Sequence, residues 1–412
     1  MAHPSASETV VKQAELVTVP PRALGRRWAI SLYVVAVFSY WAALYLYVPT
    51  LPTFVQSRTA RLATVGVVLA QYGIWQAVVR LPLGILSDWI GRRKPFIVAG
   101  FVLAAAGALV MGSSKGVAGL LVGRAITGLA ASAWVPLVVV FSSLFPPKEA
   151  IRASALLTVV NSVGRGLATA LTGTLNERGG YPLAFYAAAG TAAVATLALL
   201  PVREVRLPVR RPSLGGIGKL ITRRDVFLPA LIATISQYGM WAATFGFLPI
   251  LARDLGASDQ LQSALTSVSV GIVLLGQLAA TAFSTRVGPR RLIYGSVLAL
   301  GAGLLAASMA RSLVWLFLAQ FCIGISQGVG YPVLMGLSIR DVEEQNRTTA
   351  MGLFQALYAI GMFGGPALSG VLADALGIQP MFALTAAICL LPGLACTYWL
   401  DRKAGATPGG RR

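Results

Sequence analysis

The chain has 412 residues, of which 56% are hydrophobic and 12% are charged, whereas soluble domains carry about 25% charged residues. This composition excludes a disordered chain, a disulfide-rich secreted scaffold and an ordinary soluble enzyme. The net charge of +20 could suggest nucleic-acid binding, but the basic residues alternate with long apolar runs. We therefore predict a protein that crosses a membrane many times.

Hydropathy and turn signals predict twelve helical spans, which makes the chain an all-α membrane protein. In chain order the predicted spans are 27–49, 63–86, 95–114, 118–145, 152–176, 182–202, 226–252, 261–285, 291–311, 313–338, 349–375 and 379–400. The polar residues before span 1 lack the apolar core of a cleavable signal, so we expect no processing.

The basic loops predict the orientation in the membrane. With the N-terminus inside, 25 Lys and Arg residues fall in cytoplasmic segments and six in outer loops. The positive-inside rule then places both termini in the cytoplasm. We expect an integral plasma (inner) membrane protein whose basic loops meet anionic lipids, with no nucleic-acid partner.

The two halves of the chain repeat each other at an offset near 197 residues. Pro52 matches Pro249, and Gly91 matches Gly288, both at 197. The repeat predicts two pseudo-symmetric six-helix bundles with a solute site between them, near the middle of the membrane. The predicted segments are an N-terminal tail (1–26), a first bundle (27–202), a basic linker (203–225) with a short surface helix around 214–222, a second bundle (226–400) and a C-terminal tail (401–412).

The loop between spans 2 and 3 carries the most specific motif. Its sequence, Gly84-Ile-Leu-Ser-Asp88-Trp-Ile-Gly91-Arg92-Arg93-Lys, resembles the signature loop of the major facilitator superfamily. The resemblance covers nearly the whole chain and implies a secondary transporter with two six-helix bundles. It also implies a conformational latch, in which Asp88 faces the start of span 11 in the outward-open state. We further predict that Arg92 or Arg93 reaches Glu149, at the end of span 4.

Two further motifs resemble the branch of that superfamily containing drug:proton antiporters. Span 4 has Arg124 in Leu-x-x-x-Arg-x-x-Thr-Gly, with Thr127 where the branch usually has glutamine. The glycine-proline motif that the branch carries in span 5 is poorly kept there. A closer version lies in span 11, where we predict a helix-packing motif of Gly361, Gly365, Pro366 and Gly370.

Polar and aromatic stripes suggest what lines the cavity. The resemblance implies that spans 1, 4, 7 and 10 face it. Tyr33, Tyr40 and Tyr47 lie seven residues apart in span 1, and we interpret the outer two as membrane-interface residues and Tyr40 as facing the cavity. The remaining candidates for solute binding are Arg124, Asn161, Arg165, Gln237, Trp241, Gln320, Gln327 and Tyr331.

Away from their ends the predicted spans contain three arginines, whereas all 14 acidic residues lie in loops, tails or span ends. Ionisable groups in lipid are costly and are functional candidates by default. Arg80, near one end of span 2, is interpreted as reaching the interface or bracing the signature loop. Arg124 and Arg165 lie at depths where we predict no carboxylate to neutralise them. From these two uncompensated arginines we predict that the cavity binds anionic or zwitterionic solutes better than cations.

These patterns favour a transporter over other classes of protein. The leading hypothesis is a proton-coupled exporter of a small organic solute, and the alternative is an organic-anion exchanger or facilitator without proton coupling. A non-transporting membrane sensor on the same scaffold is a third possibility. One histidine, in the tail, and three cysteines in predicted spans provide no catalytic triad or CxxC metal site. We expect no enzyme activity, no cofactor and a monomer.

Overall fold

A computed structural model describes residues 23–146, 149–204, 220, 222–343 and 347–404, and these are helical with short turns. The first half contains span 1 (Ala23–Tyr45, then Val48–Thr50 and Leu51–Gln56), span 2 (Leu62–Ile90), span 3 (Lys94–Ser113) and span 4 (Val117–Ala131 and Trp134–Ser143), with spans 5 and 6 in Ala150–Leu199. The second half contains span 7 (Arg224–Ala242, Ala243–Phe247 and Leu248–Asp254), span 8 (Asp259–Val287), span 9 (Pro289–Ser308), span 10 (Leu313–Arg340), span 11 (Arg347–Leu376) and span 12 (Ile378–Ala404).

Spans 5 and 6 form one continuous run of helix that is too long for a single crossing. The run covers 50 residues, and a crossing needs about 20. It breaks at Gly179 and Gly180, and Gly180 has a φ of 66° that side chains other than glycine rarely adopt. Pro182 follows at once. The break falls in the predicted gap between spans 5 and 6, so the described residues form twelve spans, and the predicted fold class is confirmed.

The predicted repeat is visible as a matched break in spans 1 and 7. Span 1 is interrupted after Tyr45 and resumes as the short helix Leu51–Gln56. Span 7 is interrupted by a wide π turn, Ala243–Phe247, and resumes as Leu248–Asp254. The two short helices begin 197 positions apart, and each has a proline, Pro52 or Pro249, as its second residue. Because proline lacks an N–H, it is tolerated in the first turn of a helix and ends the one before it.

Small residues bring the two halves together along spans 2 and 11. A Cβ on Gly370 would lie 2.9 Å from the Cα of Gly66, and the carbonyl of Pro366 also lies against Gly66. On another side of span 11, a Cβ on Gly365 would lie 2.6 Å from the Tyr238 carbonyl, and Gly361 lies against span 7 in the same way. Span 11 therefore packs closely against one helix from each half, which larger side chains would prevent.

Part of the predicted organisation lies outside the described residues. Both tails up to residue 22 and from 405 onward, and most of the linker, are not described. The short helix predicted around 214–222 falls largely in that part of the linker.

Candidate solute cavity between the two halves

A cavity of about 480 Å³ lies between the two halves. Its wall comes from spans 1, 2, 4 and 5 of the first half and spans 7, 8, 10 and 11 of the second. It extends from the middle of the molecule to the end where the signature loop lies, and Asp88, Arg93 and Thr349 line that mouth. We call this end the open end. The volume is within the usual range for small-molecule sites, about 300–1,000 Å³.

The opposite end, which we call the closed end, is sealed by contacts between the halves. Thr53 donates to Gln262 over 3.1 Å, and Asn176 donates to Asp259 over 2.9 Å. The backbone N–H of Leu62 donates to Asp374 over 2.6 Å. Further bonds across the halves join Arg253 to Tyr181, Gln260 to Glu177 and Ser267 to Thr169. These polar contacts close the end that the signature loop does not occupy.

Aromatic pairs across the halves form the inner end of the cavity. The rings of Tyr72 and Trp241 stack with centroids 5.3 Å apart, and those of Tyr45 and Phe245 meet edge to face at 5.8 Å. Each pair joins a residue of the first half to one of span 7. Because these four side chains also line the cavity, a solute that reaches the middle of the molecule meets aromatic rings from both halves.

Arg165 lies on the wall of the cavity, on span 5. Its guanidinium carbon is 4.4 Å from the centre of the Tyr45 ring and 5.7 Å from that of Trp41. Its Nε is buried and has no hydrogen-bond partner among the described residues. Asn161, one helical turn earlier, also lines the cavity, and its Oδ1 is buried without a partner. Aromatic faces thus hold this cation, and no carboxylate of the described residues pairs with it.

Arg80 provides a second cation in the same cavity, and its predicted role was wrong. The residue is 5% exposed and does not reach the molecular surface. It donates a hydrogen bond to the Tyr358 hydroxyl of span 11, and its guanidinium lies 5.5 Å from the centre of that ring. Span 2 turns this side chain inward, toward the second half, so it neither braces the signature loop nor extends to the membrane interface.

Glutamines line the second half of the cavity. Gln327 donates to the Ser236 carbonyl over 2.9 Å, and Gln237 donates to Gln327 over 3.4 Å. The Oε1 atoms of Gln237, Gln277 and Gln355 are buried without partners in the described part of the chain. The Gln237 and Gln327 amides thus link spans 7 and 10. The unpartnered Oε1 atoms are acceptors that a bound solute or water can satisfy.

The signature loop contains an internal ion pair in this conformation. Arg93 donates to Asp88 over 2.5 Å, and Gly91 turns the chain with a φ of 66°. Arg92 is exposed. Glu149 pairs with Arg26 at 3.2 Å and with Arg152 at 3.8 Å, so the predicted contact from Arg92 or Arg93 to Glu149 is not formed here. Asp88 and Thr349 of span 11 both line the cavity mouth, and the latch predicted for the outward-open state stays a prediction.

The comparison with known protein families decides the identity of this fold. The family model described as Major Facilitator Superfamily matches residues 33–240 and 230–412, one match for each half. The chain belongs to the major facilitator superfamily. It is an integral membrane transporter for a small-molecule substrate and not an enzyme, as the sequence predicted.

Relatives within the superfamily are distant but extend over most of the chain. An uncharacterised MFS-type transporter of Methanocaldococcus jannaschii is 21% identical over 86% of this chain and 93% of its own length. The class H tetracycline resistance protein of Pasteurella multocida is 26% identical over 78% of this chain and 83% of its own. A solved bacterial homolog of the human lysosomal transporter Spinster, inward-facing and unoccupied, has a TM-score of 0.76 at 14% identity, and the match covers 95% of this chain and 100% of that one.

Three of the predicted solute-binding residues do not line the cavity of this superfamily member. Tyr40 is fully buried inside the first half, where its hydroxyl donates to the Ala130 carbonyl over 2.8 Å. Arg124 lies 4.3 Å from the centre of the Tyr72 ring, behind the cavity wall. Gln320 accepts from Thr244 over 2.8 Å and is likewise internal.

The tyrosine stripe of span 1 explains the first of these corrections. Tyr33, Tyr40 and Tyr47 are at most 2% exposed, so the whole stripe faces the interior of the first half. The interpretation of Tyr33 and Tyr47 as membrane-interface residues was therefore wrong. A seven-residue spacing identifies one face of a helix but not what that face packs against.

The remaining six candidates, Asn161, Arg165, Gln237, Trp241, Gln327 and Tyr331, do line the cavity. Sequence reasoning missed several other wall residues because the resemblance directed attention to spans 1, 4, 7 and 10. Polar pairs at helical spacing in spans 2 and 11 could have indicated them, since polar residues on one face of an apolar span tend to face inward. The missed residues with large polar side chains include Tyr45, Tyr72, Gln76, Arg80, Gln277, Gln355 and Tyr358.

Proposed function

We propose that this chain exports an amphipathic organic solute by alternating access, with the cavity as the solute site. The observation that carries the proposal is a cavity between the halves that reaches one end of the molecule and is sealed at the other by contacts across the halves. Alternating access requires a site that communicates with one side at a time, through rocking of two similar bundles. The aromatic inner end suits a solute with a flat apolar part.

The proposed direction of transport rests on the charge of the open end and on a homologous protein. The open end carries Arg92, Arg93 and Lys94, and the positive-inside rule assigns such loops to the cytoplasm. A solute would then enter this conformation from the cytoplasm. The relative named for tetracycline resistance favours removal of a compound from the cell over its uptake.

Proton antiport is part of the same proposal, and its candidate groups lie at the ends of the cavity. Among the described wall residues the one carboxylate is that of Asp88, which pairs with Arg93. Asp259 and Glu177 lie at the closed end, each in a hydrogen bond across the halves. Opening that end would break both bonds, so the partners of these two carboxylates change with the state of the transporter. Asp259 and Glu177 are therefore the proposed proton-coupling groups.

Counterflow in proteoliposomes tests the proposal. Vesicles are preloaded with unlabelled tetracycline, 4-(1-naphthyl)butyrate or 4-(1-naphthyl)butylammonium, and entry of the labelled compound is followed in time. We expect at least one compound to accumulate transiently above the level in protein-free vesicles. An imposed pH gradient should then drive net movement of that compound, and nigericin, which collapses the gradient, should abolish it.

Two results would count against parts of the proposal. Entry equal to that in protein-free vesicles for all three compounds would reject amphipathic organic solutes as substrates. Counterflow with no response to the pH gradient would keep the transporter and reject the proton as its coupling ion.

A further inference from the structure

We propose that the cavity contains an anion-binding subsite centred on Arg165, which receives the carboxylate or a similar oxyanion of a solute whose apolar body rests on the aromatic inner end. The inference rests on the proposed function, because it names the chemical class of solute that the same cavity takes. Its test is a binding measurement, which is independent of whether transport occurs.

The charge balance of the cavity is the first argument. Arg80, Arg165 and, at the mouth, Arg93 line it, and Asp88 is the one acidic residue among the described wall residues. Asp88 is already paired with Arg93 at 2.5 Å. Arg80 and Arg165 therefore share a partly enclosed space in which no carboxylate of the described chain balances their charge. Such uncompensated charge is costly away from water, and a bound anion removes that cost.

The surroundings of Arg165 are the second argument. Its guanidinium is placed over Tyr45 and beside Trp41, which hold its plane without occupying its N–H groups. Among the described residues its side chain donates no hydrogen bond, and its buried Nε is unpartnered. A guanidinium presents N–H donors in a planar fork that matches a carboxylate. Asn161, on the same face one turn away, can donate its amide to the same anion.

Arg80 is a weaker candidate for the same role because it is partly satisfied. It is at least nine-tenths buried and donates to Tyr358, while its Nε has no partner in the described part of the chain. Its bond to span 11 joins the two halves at the cavity wall. We assign Arg80 to the electropositive surroundings of the subsite, and Arg165 to direct contact with the anion.

The position of the aromatic residues sets the shape of the solute. Tyr45 contacts both the Arg165 guanidinium and the Phe245 ring of the second half. A solute bound at Arg165 is therefore adjacent to the aromatic pairs that join the halves. A flat ring system that carries one carboxylate satisfies both surfaces at once, whereas a cation of the same shape would approach two arginines.

Binding of three matched compounds tests the assignment. The probes are 4-(1-naphthyl)butyrate, its neutral amide and 4-(1-naphthyl)butylammonium, which share an aromatic body and differ in charge. Affinities are measured by calorimetry on the full-length chain in nanodiscs, after subtraction of binding to empty nanodiscs. We expect the carboxylate to bind the parent at least about tenfold more tightly than the other two, since hydrogen bonds to charged groups are worth that much or more.

Variants locate the subsite. Arg165→Gln should remove the preference for the carboxylate and leave the affinity for the amide within about twofold, well under the tenfold that corresponds to one strong charged hydrogen bond. Arg165→Lys keeps the charge but loses the planar fork, so it should recover part of the preference. Arg311→Gln removes one exposed arginine from the loop before span 10 and should leave the preference unchanged. Unchanged affinity for the amide also shows that each variant is folded.

Several outcomes would overturn the subsite. The ammonium compound could bind the parent as tightly as the carboxylate, or Arg165→Gln could retain the full preference. Failure of all three compounds to bind would also reject it. None of these results bears on counterflow of tetracycline, so the proposed transport function is judged separately.

Discussion

At the scale of single residues, buried arginines dominate the chemistry of this protein. Arg80, Arg124 and Arg165 all lie within spans, and each has its guanidinium within 6 Å of the centre of an aromatic ring. Aromatic faces attract cations without adding a second charge, which makes them suitable partners for these arginines, beside which the described spans place no carboxylate. Arg80 alone of the three combines a ring contact with a hydrogen bond to a side chain of the other half.

Removing that hydrogen bond should destabilise the protein. Tyr358→Phe keeps the ring and deletes the hydroxyl that accepts from Arg80, leaving a buried charged donor unsatisfied, a loss of about 1–3 kcal/mol. We expect a lower midpoint of thermal unfolding in detergent. The matched control is Tyr186→Phe, at a tyrosine that is 46% exposed. Equal midpoints for the two variants would show that the Arg80 bond contributes no net stability.

At the scale of structural elements, spans 2 and 11 behave differently at the two ends of the molecule. Spans 2 and 11 touch through Gly66 and Gly370 toward the closed end. At the open end the cavity mouth lies between Asp88 and Thr349. The same two helices thus meet at one end and line a cavity at the other, as rocking halves require.

Loss of the Asp88 charge should slow the change between the two states. Asp88→Asn removes both the ion pair with Arg93 and the anion expected to face the start of span 11 when the open end closes. We expect counterflow to slow by about fivefold or more, the lower range of typical coupling between sites. Yield and elution from a sizing column should match those of the parent.

The control for this variant is Asp341→Asn, which removes an exposed carboxylate paired with its neighbour Arg340 at 2.9 Å. Exposed pairs contribute about 0–1 kcal/mol, so this change should leave the rate unaltered. Full activity of Asp88→Asn would contradict a latch and restrict the loop to membrane insertion.

At the scale of the whole molecule, the hydrogen bonds at the closed end join the two halves and must break during transport. Spans 5 and 8 meet at the closed end, where Ser267 donates to Thr169 over 2.9 Å. Transport by alternating access must separate these two residues once in each cycle. The contact therefore reports on the global state of the protein and not on local packing.

A reversible cross-link at this contact should trap one state. We expect the double variant Thr169→Cys, Ser267→Cys, oxidised with copper phenanthroline, to lose counterflow and to recover it on reduction. The hydroxyl oxygens that the sulfurs replace lie 2.9 Å apart, so a disulfide needs little movement. Each single variant, treated in the same way, should retain activity. Counterflow through the oxidised double variant would show that the closed end does not open during transport.

The sequence by itself determined the fold and the class of the protein. Composition required many spans, the repeat required two related halves, and the loop from Gly84 to Arg93 identified the superfamily. These features are local or periodic, and hydropathy reports them directly because lipid forces each crossing to be an apolar helix. The break at Gly179 and Gly180 fell in the predicted gap for the same reason.

Only the tertiary structure decided which polar residues face the cavity. Arg80, Arg165 and Gln327 line it, whereas Tyr40 and Arg124 are buried inside the first half. In a soluble protein the polar face of a helix marks the solvent side, but a membrane span has lipid on one side and either packed helices or a cavity on the other. Both inward environments accept polar residues, so the position of neighbouring helices, and not helical spacing, separates a solute site from an internal hydrogen bond.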